Sequence, residues 1–128
     1  REAEALAALE TVQLAHLSSR KPSELSDGQR YRLRLAKLME SGAQVWVADE
    51  FGAVLDRETA KVIAFDLQKI AREAKATVVV ATTHTDLKED LHPDLVIEKH
   101  YRERVKVERA DYQSFRNQVI ADYLAKHP

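Results

Sequence analysis

The chain is 128 residues long, 45% hydrophobic and 32% charged, with a net charge of −1 and no cysteine. That composition describes a single soluble globular domain and excludes a disulfide scaffold, thiolate metal sites and a fibrous or disordered chain. The balanced charge gives no overall electrostatic reason to expect a nucleic acid or an anionic membrane as partner, and no apolar stretch approaches the roughly 20 residues of a membrane helix. With no cysteine, a cytoplasmic setting is the expectation.

In chain order, "EAEALAALETVQLAHL" carries alanine and leucine at helical spacing without a breaker, which predicts an amphipathic helix from residue 2 to about 16. The chain opens at Arg1 without methionine and already reads as helix interior, so an excised piece of a longer protein is expected. "SSRKPSELS" is a loop. Ser26 is a predicted N-cap, Gln29 completes an S-x-x-Q capping box, and a helix follows to about Glu40 with Leu33, Leu35, Ala36, Leu38 and Met39 on its apolar face. Ser41-Gly42 ends it. "QVWVA" then reads as a short strand buried on both faces. Asp56 caps a long helix with Ile63, Leu67, Ile70 and Ala74 on one side. "TVVVAT" is the next strand, "TDLKEDL" a helical turn, "DLVIEK" and "RVKVER" two further strands, and "DYQSFRNQVIADYLAKH" a closing helix.

Strand, crossover helix, strand is the order of a parallel sheet covered by helices, and in such sheets ligands bind beyond the carboxyl ends of the strands. Asp49 and Glu50 end the first strand; Thr82, Thr83 and His84 end the next. An acid at a strand tip can hold Mg²⁺ directly or through water, and a second acid can polarise an attacking water. Alone, the pair is weak evidence and reads more simply as a strand ending in solvated acids. His84 is a candidate hydrogen-bond donor to a phosphate oxygen; a lone loop histidine is also often only a surface residue. The other four histidines show no ligand spacing with it, so no histidine metal site is expected. Ser26, Gly28 and the start of the helix offer a hydroxyl, an open backbone and unpaired N–H groups, which suit phosphate. An ordinary capping box explains them as well, and the Asp27 carboxylate would repel phosphate unless it points away.

The ordered set of motifs says more than any member. "LSDGQ" before a helix, then "VWVADE", then "AVLD", then His84 after the next strand, resembles the second half of an ATP-binding-cassette ATPase. Leu25 to Gln29 resemble the family signature, Val45 to Glu50 its Walker B strand, Ala53 to Asp56 its D-loop and His84 its switch histidine. The similarity runs over residues 5 to 98. Two departures stand out: Asp27 replaces the usual glycine, and Phe51 stands where transporter cassettes usually have proline. "SELSDGQRYRLRLAKLMESGAQVWVADEF" and "VVVATTHTDL" look closer to soluble ABC-type ATPases, some with a fused acetyltransferase-like domain, than to a transporter subunit.

The resemblance implies a partial P-loop NTPase fold of the α/β class: parallel strands with crossover helices plus part of the helical subdomain, forming one domain. Residues 1–41 would be the helical-subdomain part and signature helix, 42–98 the α/β core, and 99–128 a terminal strand and helix outside the resemblance. It implies ATP and Mg²⁺ as ligands, with Asp49 on the metal, Glu50 and His84 catalytic, and Ser26, Gly28, Gln29 and Asp56 on the nucleotide. The P-loop G-x-x-x-x-G-K-[ST] does not occur: five residues beyond Gly28, Gly42 and Gly52 stand Leu33, Val47 and Arg57. Gln13 is not assigned to the family's Q-loop, since it falls inside the predicted first helix and close to the signature. The expected partners are therefore a P-loop half in cis and a second copy packed head to tail around ATP, and the chain alone is expected to be inactive. Two alternatives stay open: a nucleotide-binding fragment of a membrane transporter, with a membrane partner, and a non-hydrolysing interaction module. A DNA-repair cassette lacks support, there being neither a basic surplus nor coiled-coil heptads.

Overall fold

A computed structural model describes residues 1–110 and 112–127 and divides the chain into two compact units, Arg1–His92 and Pro93–Pro128. Asp111, read above as the first residue of the closing helix, and Pro128 lie outside the described residues. The first unit contains α1 (Glu2–Thr11), α2 (Asp27–Ser41), β1 (Val45–Ala48), α3 (Arg57–Glu73), β2 (Thr77–Val80) and α4 (Lys88–Leu91). The mixed α/β class and the parallel pairing are as the sequence implies: β1 and β2 run parallel, joined by α3, with Trp46 opposite Val78 and Ala48 opposite Val80. The arrangement is consistent with the partial P-loop NTPase fold that the resemblance implies.

The first helix ends earlier than its alanine and leucine spacing predicts. Its last helical residue is Thr11, and Gln13 takes a left-handed φ of 62°. The Gln13 N–H donates to the Glu10 carbonyl at 3.0 Å, and the Leu14 N–H donates to the Leu9 carbonyl at 2.8 Å. These two bonds form a Schellman closure, which a sequence without glycine at that position does not advertise. The reversal buries Val12 and Leu14 together, each 3% exposed, so burial offsets the strain of the left-handed glutamine. A 3₁₀ turn at Ala15–Leu17 follows.

The capping signals hold as read. The Gln29 N–H donates to Ser26 Oγ at 3.2 Å and the Ser26 N–H to Gln29 Oε1 at 3.0 Å, closing a reciprocal box at the start of α2. Gly42 ends α2 with a φ of 70°. In α3 the buried stripe is Ala60, Ile63, Ala64, Leu67, Ile70 and Ala71, a helical period that packs one side of the sheet together with Trp46 and Leu87. Ala74, expected on that stripe, is instead the exposed C-cap residue.

The strand "QVWVA" is buried on one face only. Trp46 is 2% exposed, whereas Val45 and Val47 are 61% and 70% exposed, and Val79 beside them is 54% exposed. A run of apolar residues expects a layer on both sides, and among the described residues of this unit only the α3 side is covered. The second unit pairs β3 (Leu95–Lys99) antiparallel with β4 (Val105–Arg109), Ile97 opposite Val107, followed by α5 (Tyr112–Lys126). Among the described residues no helix is long and apolar enough to cross a membrane.

Candidate functional site

Every residue singled out from the sequence lies in the first unit. Asp49 and Glu50 follow β1 directly, both exposed. The Glu50 N–H donates to Asp49 Oδ1 at 2.9 Å, and Glu50 sits at φ 49°, a left-handed conformation that costs a side-chain-bearing residue about 1–2 kcal/mol. The surrounding bonds hold it there. Parallel pairing continues past the strands, with the Ala81 N–H donating to the Ala48 carbonyl and the Phe51 N–H to the Ala81 carbonyl, each at 2.9 Å. Phe51 is 3% exposed and anchors the turn in the core.

His84 is brought to the same end of the sheet. The Thr82 hydroxyl donates to the Phe51 carbonyl at 2.9 Å, and the His84 N–H donates to Thr82 Oγ1 at 3.1 Å. Thr82 thereby bridges the turn bearing the acid pair and the loop bearing the histidine. Among the described residues nothing hydrogen-bonds or ion-pairs the Glu50 carboxylate. It is available to accept a proton from water, whereas one oxygen of Asp49 is already engaged by the backbone.

The serine-glycine turn is held from its own helix. Arg30 donates from Nε and Nη2 to the Leu25 carbonyl at 3.1 and 2.9 Å, a two-pronged clamp behind the turn. Asp27 Oδ1 lies 3.5 Å from Arg30 Nη1. This ion pair offsets part of the negative charge that otherwise counts against phosphate beside Ser26. The Ser26 oxygen accepts the cap bond, which leaves its hydroxyl hydrogen for a ligand. Gln29 uses its carbonyl oxygen in the cap.

Asp56 caps α3: it accepts from the Thr59 N–H at 2.9 Å and from the Thr59 hydroxyl at 2.7 Å. The backbone bond from Thr59, then its hydroxyl bond, hold the Asp56 carboxyl below the ordinary aspartate value. The Thr59 methyl faces Gly28, where an added Cβ would meet Cγ2 at 3.0 Å. The first turn of α2 and the cap of α3 are thus in direct contact. A second link joins α2 to the acid-pair turn. The Tyr31 ring meets Phe51 edge-on with centroids 5.6 Å apart, and the Gly52 N–H points to the Tyr31 hydroxyl at 3.4 Å. Tyr31, Thr59 and Thr82 carry these links; of these the sequence places only Thr82 at a strand tip, and without a role. Thr59 had a local signal, the D-x-x-T spacing of a helix cap; Tyr31 had none.

Among the described residues no three His, Cys, Asp or Glu side chains converge as a metal cage. The donor chemistry still fits Mg²⁺, which takes one or two carboxylates and completes its shell with waters and substrate phosphates. Asp49 is exposed and has one carboxylate oxygen outside the bond from the Glu50 N–H, as such a ligand would need.

The family model described as "ABC transporter" matches residues 1–53. The chain is 41% identical over 81 residues to the cytochrome c biogenesis ATP-binding export protein CcmA of Paracoccus denitrificans, covering 63% of this chain and 38% of that protein. It is 36% identical over 86 residues to the methionine import ATP-binding protein MetN 1 of Paraburkholderia xenovorans, covering 67% of this chain and 25% of that one. A match to the spermidine/putrescine import ATP-binding protein PotA of Roseobacter denitrificans is 29% identical and extends over 92% of this chain and 33% of that protein. The chain spans about a quarter to two-fifths of the length of these relatives.

Proposed function

We propose a role in ATP hydrolysis on one premise: the chain belongs to the ATP-binding-cassette family. In this reading it is the C-terminal part of a cassette domain, cytoplasmic, and is completed by a P-loop-bearing half in cis and by a second copy packed head to tail. The observation that carries the reading is the hydrogen-bonded path from the Phe51 carbonyl through Thr82 to the His84 backbone. It sets an acid pair and a histidine together at the carboxyl ends of two parallel strands, where such sheets bind ligands. The uncovered Val45, Val47 and Val79 face supports the reading too, since a P-loop half would supply the absent layer.

Glu50 accepts a proton from the water that attacks the γ-phosphorus, and ADP leaves. His84 donates a hydrogen bond to a γ-phosphate oxygen. Asp49 would hold Mg²⁺, which would neutralise phosphate charge. These three serve the nucleotide gripped by their own domain. Ser26 through its hydroxyl, Gly28 through its N–H and the first turn of α2 serve the nucleotide gripped by the second copy, with Gln29 keeping that turn closed. Asp56 lies at the seam between the copies. Without phosphate-cradling N–H groups and a lysine, the chain alone binds MgATP weakly and turns it over negligibly.

In the full-length protein, Glu50→Gln is expected to abolish steady-state phosphate release while lengthening the lifetime of the ATP-bound dimer in gel filtration. Turnover equal to the parent protein would remove Glu50 from the base role. The relatives named above carry import or export in their names, which favours a second reading of what the hydrolysis drives: movement of a solute through a membrane partner. Co-purification of the full-length protein with an integral membrane subunit tests it.

A further inference from the structure

The loop bearing His84 has a second tether. Arg57, the first residue of α3 and the residue after Asp56, donates from Nε to Asp86 Oδ2 at 3.1 Å. Asp86 lies in the 3₁₀ turn that His84 caps, and the Leu87 N–H closes that turn on the His84 carbonyl. The guanidinium also passes the acid-pair turn, with its Nη2 3.8 Å from where a Cβ on Gly52 would stand. Among the described residues that Nη2 is buried and has no hydrogen-bond partner.

As a source of stability this pair is poor. Both side chains are about two-fifths exposed, so the attraction is screened, and the orphaned Nη2 costs desolvation. Its geometric effect is larger. Thr82 ties the start of the His84 loop to the acid-pair turn, and Arg57 ties its end to the segment that begins at Asp56.

We infer that Arg57 is a positioning residue that, through Asp86, sets the place of His84 according to the state of the Asp56 segment. This rests on the hydrolytic reading above, in which Asp56 lies at the seam with the second copy. Docking of that copy then reaches His84 through one side chain, and hydrolysis waits on assembly. A planar guanidinium held from Nε suits such a link better than a flexible ammonium.

The test is steady-state ATP hydrolysis by the full-length protein, with melting temperature measured alongside. Arg57→Ala and Asp86→Ala are expected to lower kcat about tenfold, the scale of a small misplacement of a reacting group. KM for ATP and the melting temperature should stay near the parent values. The exchanged pair, Arg57→Asp with Asp86→Arg, should recover most of the lost kcat. An active parent whose Arg57→Ala form keeps its kcat, or an exchanged pair no better than the single variants, overturns the inference. If the parent itself hydrolyses no ATP, the hydrolytic reading fails, and the tether is judged separately from the ¹⁵N chemical shifts of His84 without nucleotide. A shift on Arg57→Ala supports it; unchanged shifts overturn it.

Discussion

At Gly28 two opposing effects on α2 have comparable size, and their balance is measurable. Replacing a helical glycine by alanine gains about 1 kcal/mol of helix propensity. Here the new methyl would meet Thr59 Cγ2 at 3.0 Å, and Thr59 cannot easily turn away because Asp56 holds its hydroxyl at 2.7 Å. Overpacking of that kind costs about 1–3 kcal/mol, so Gly28→Ala is expected to destabilise the fold. Thr59→Ser removes the methyl and keeps the hydroxyl bond. In the double variant the propensity gain should reappear, making it at least as stable in urea as Thr59→Ser alone. Additive effects of the two substitutions would show that Gly28 and Thr59 are not in contact. Asp66 offers a pH-dependent test. Burial pushes its carboxyl above the ordinary aspartate value, against the opposing pull of Arg32 and Lys69. A raised folded-state pKa favours the protonated form, so its penalty is absent in acid and grows as pH rises through the folded value. Asp66→Asn should therefore raise the melting temperature at pH 7, with the gain shrinking towards pH 3. A gain that grows on acidification would reverse the sign of this coupling.

The helices and strands differ in how much of them the sequence discloses. The caps of α2 and α3 are legible because Ser26 with Gln29, and Asp56 with Thr59, act over three residues of chain. The early end of α1 is not, because its stop signal is a left-handed glutamine, stabilised by burying Val12 and Leu14. Glycine at that position would relieve the left-handed strain, though it would lose more freedom on folding. Gln13→Gly is accordingly expected to stabilise the fold by about 0.5–1 kcal/mol in chemical denaturation. A loss would mean that the glutamine side chain contributes to the closure. The valines of β1 misled for a different reason. Strand composition records that a residue is apolar, not whether a covering layer is present in the same stretch of chain, and Val45 and Val47 stay exposed. Within the candidate site, the position of Asp49, Glu50 and His84 just beyond strand ends is legible in the order of elements. Tyr31 against Gly52 and Arg57 against Asp86 are not, because packing alone sets which residues 21 and 29 positions apart will meet.

At the scale of the whole molecule, one short chain is assigned duties towards two different nucleotides. In the proposed reading, Glu50 and His84 attend the one held by their own domain, and Ser26 and Gly28 the one held by a second copy. Contacts through Thr59 and Tyr31 join the two sets within one unit: Thr59 meets Gly28, and Tyr31 meets Phe51 and Gly52. The most direct measurement mixes two full-length variants that are each inactive: Ser26→Arg, which blocks the phosphate-facing turn, and Glu50→Gln, which removes the base. In the mixed dimer one composite site regains an intact turn from one copy and an intact glutamate from the other. ATP hydrolysis by the mixture is expected to rise clearly above that of either variant alone. A mixture of folded, nucleotide-binding variants that exchange subunits yet stays as inactive as its components would contradict the account.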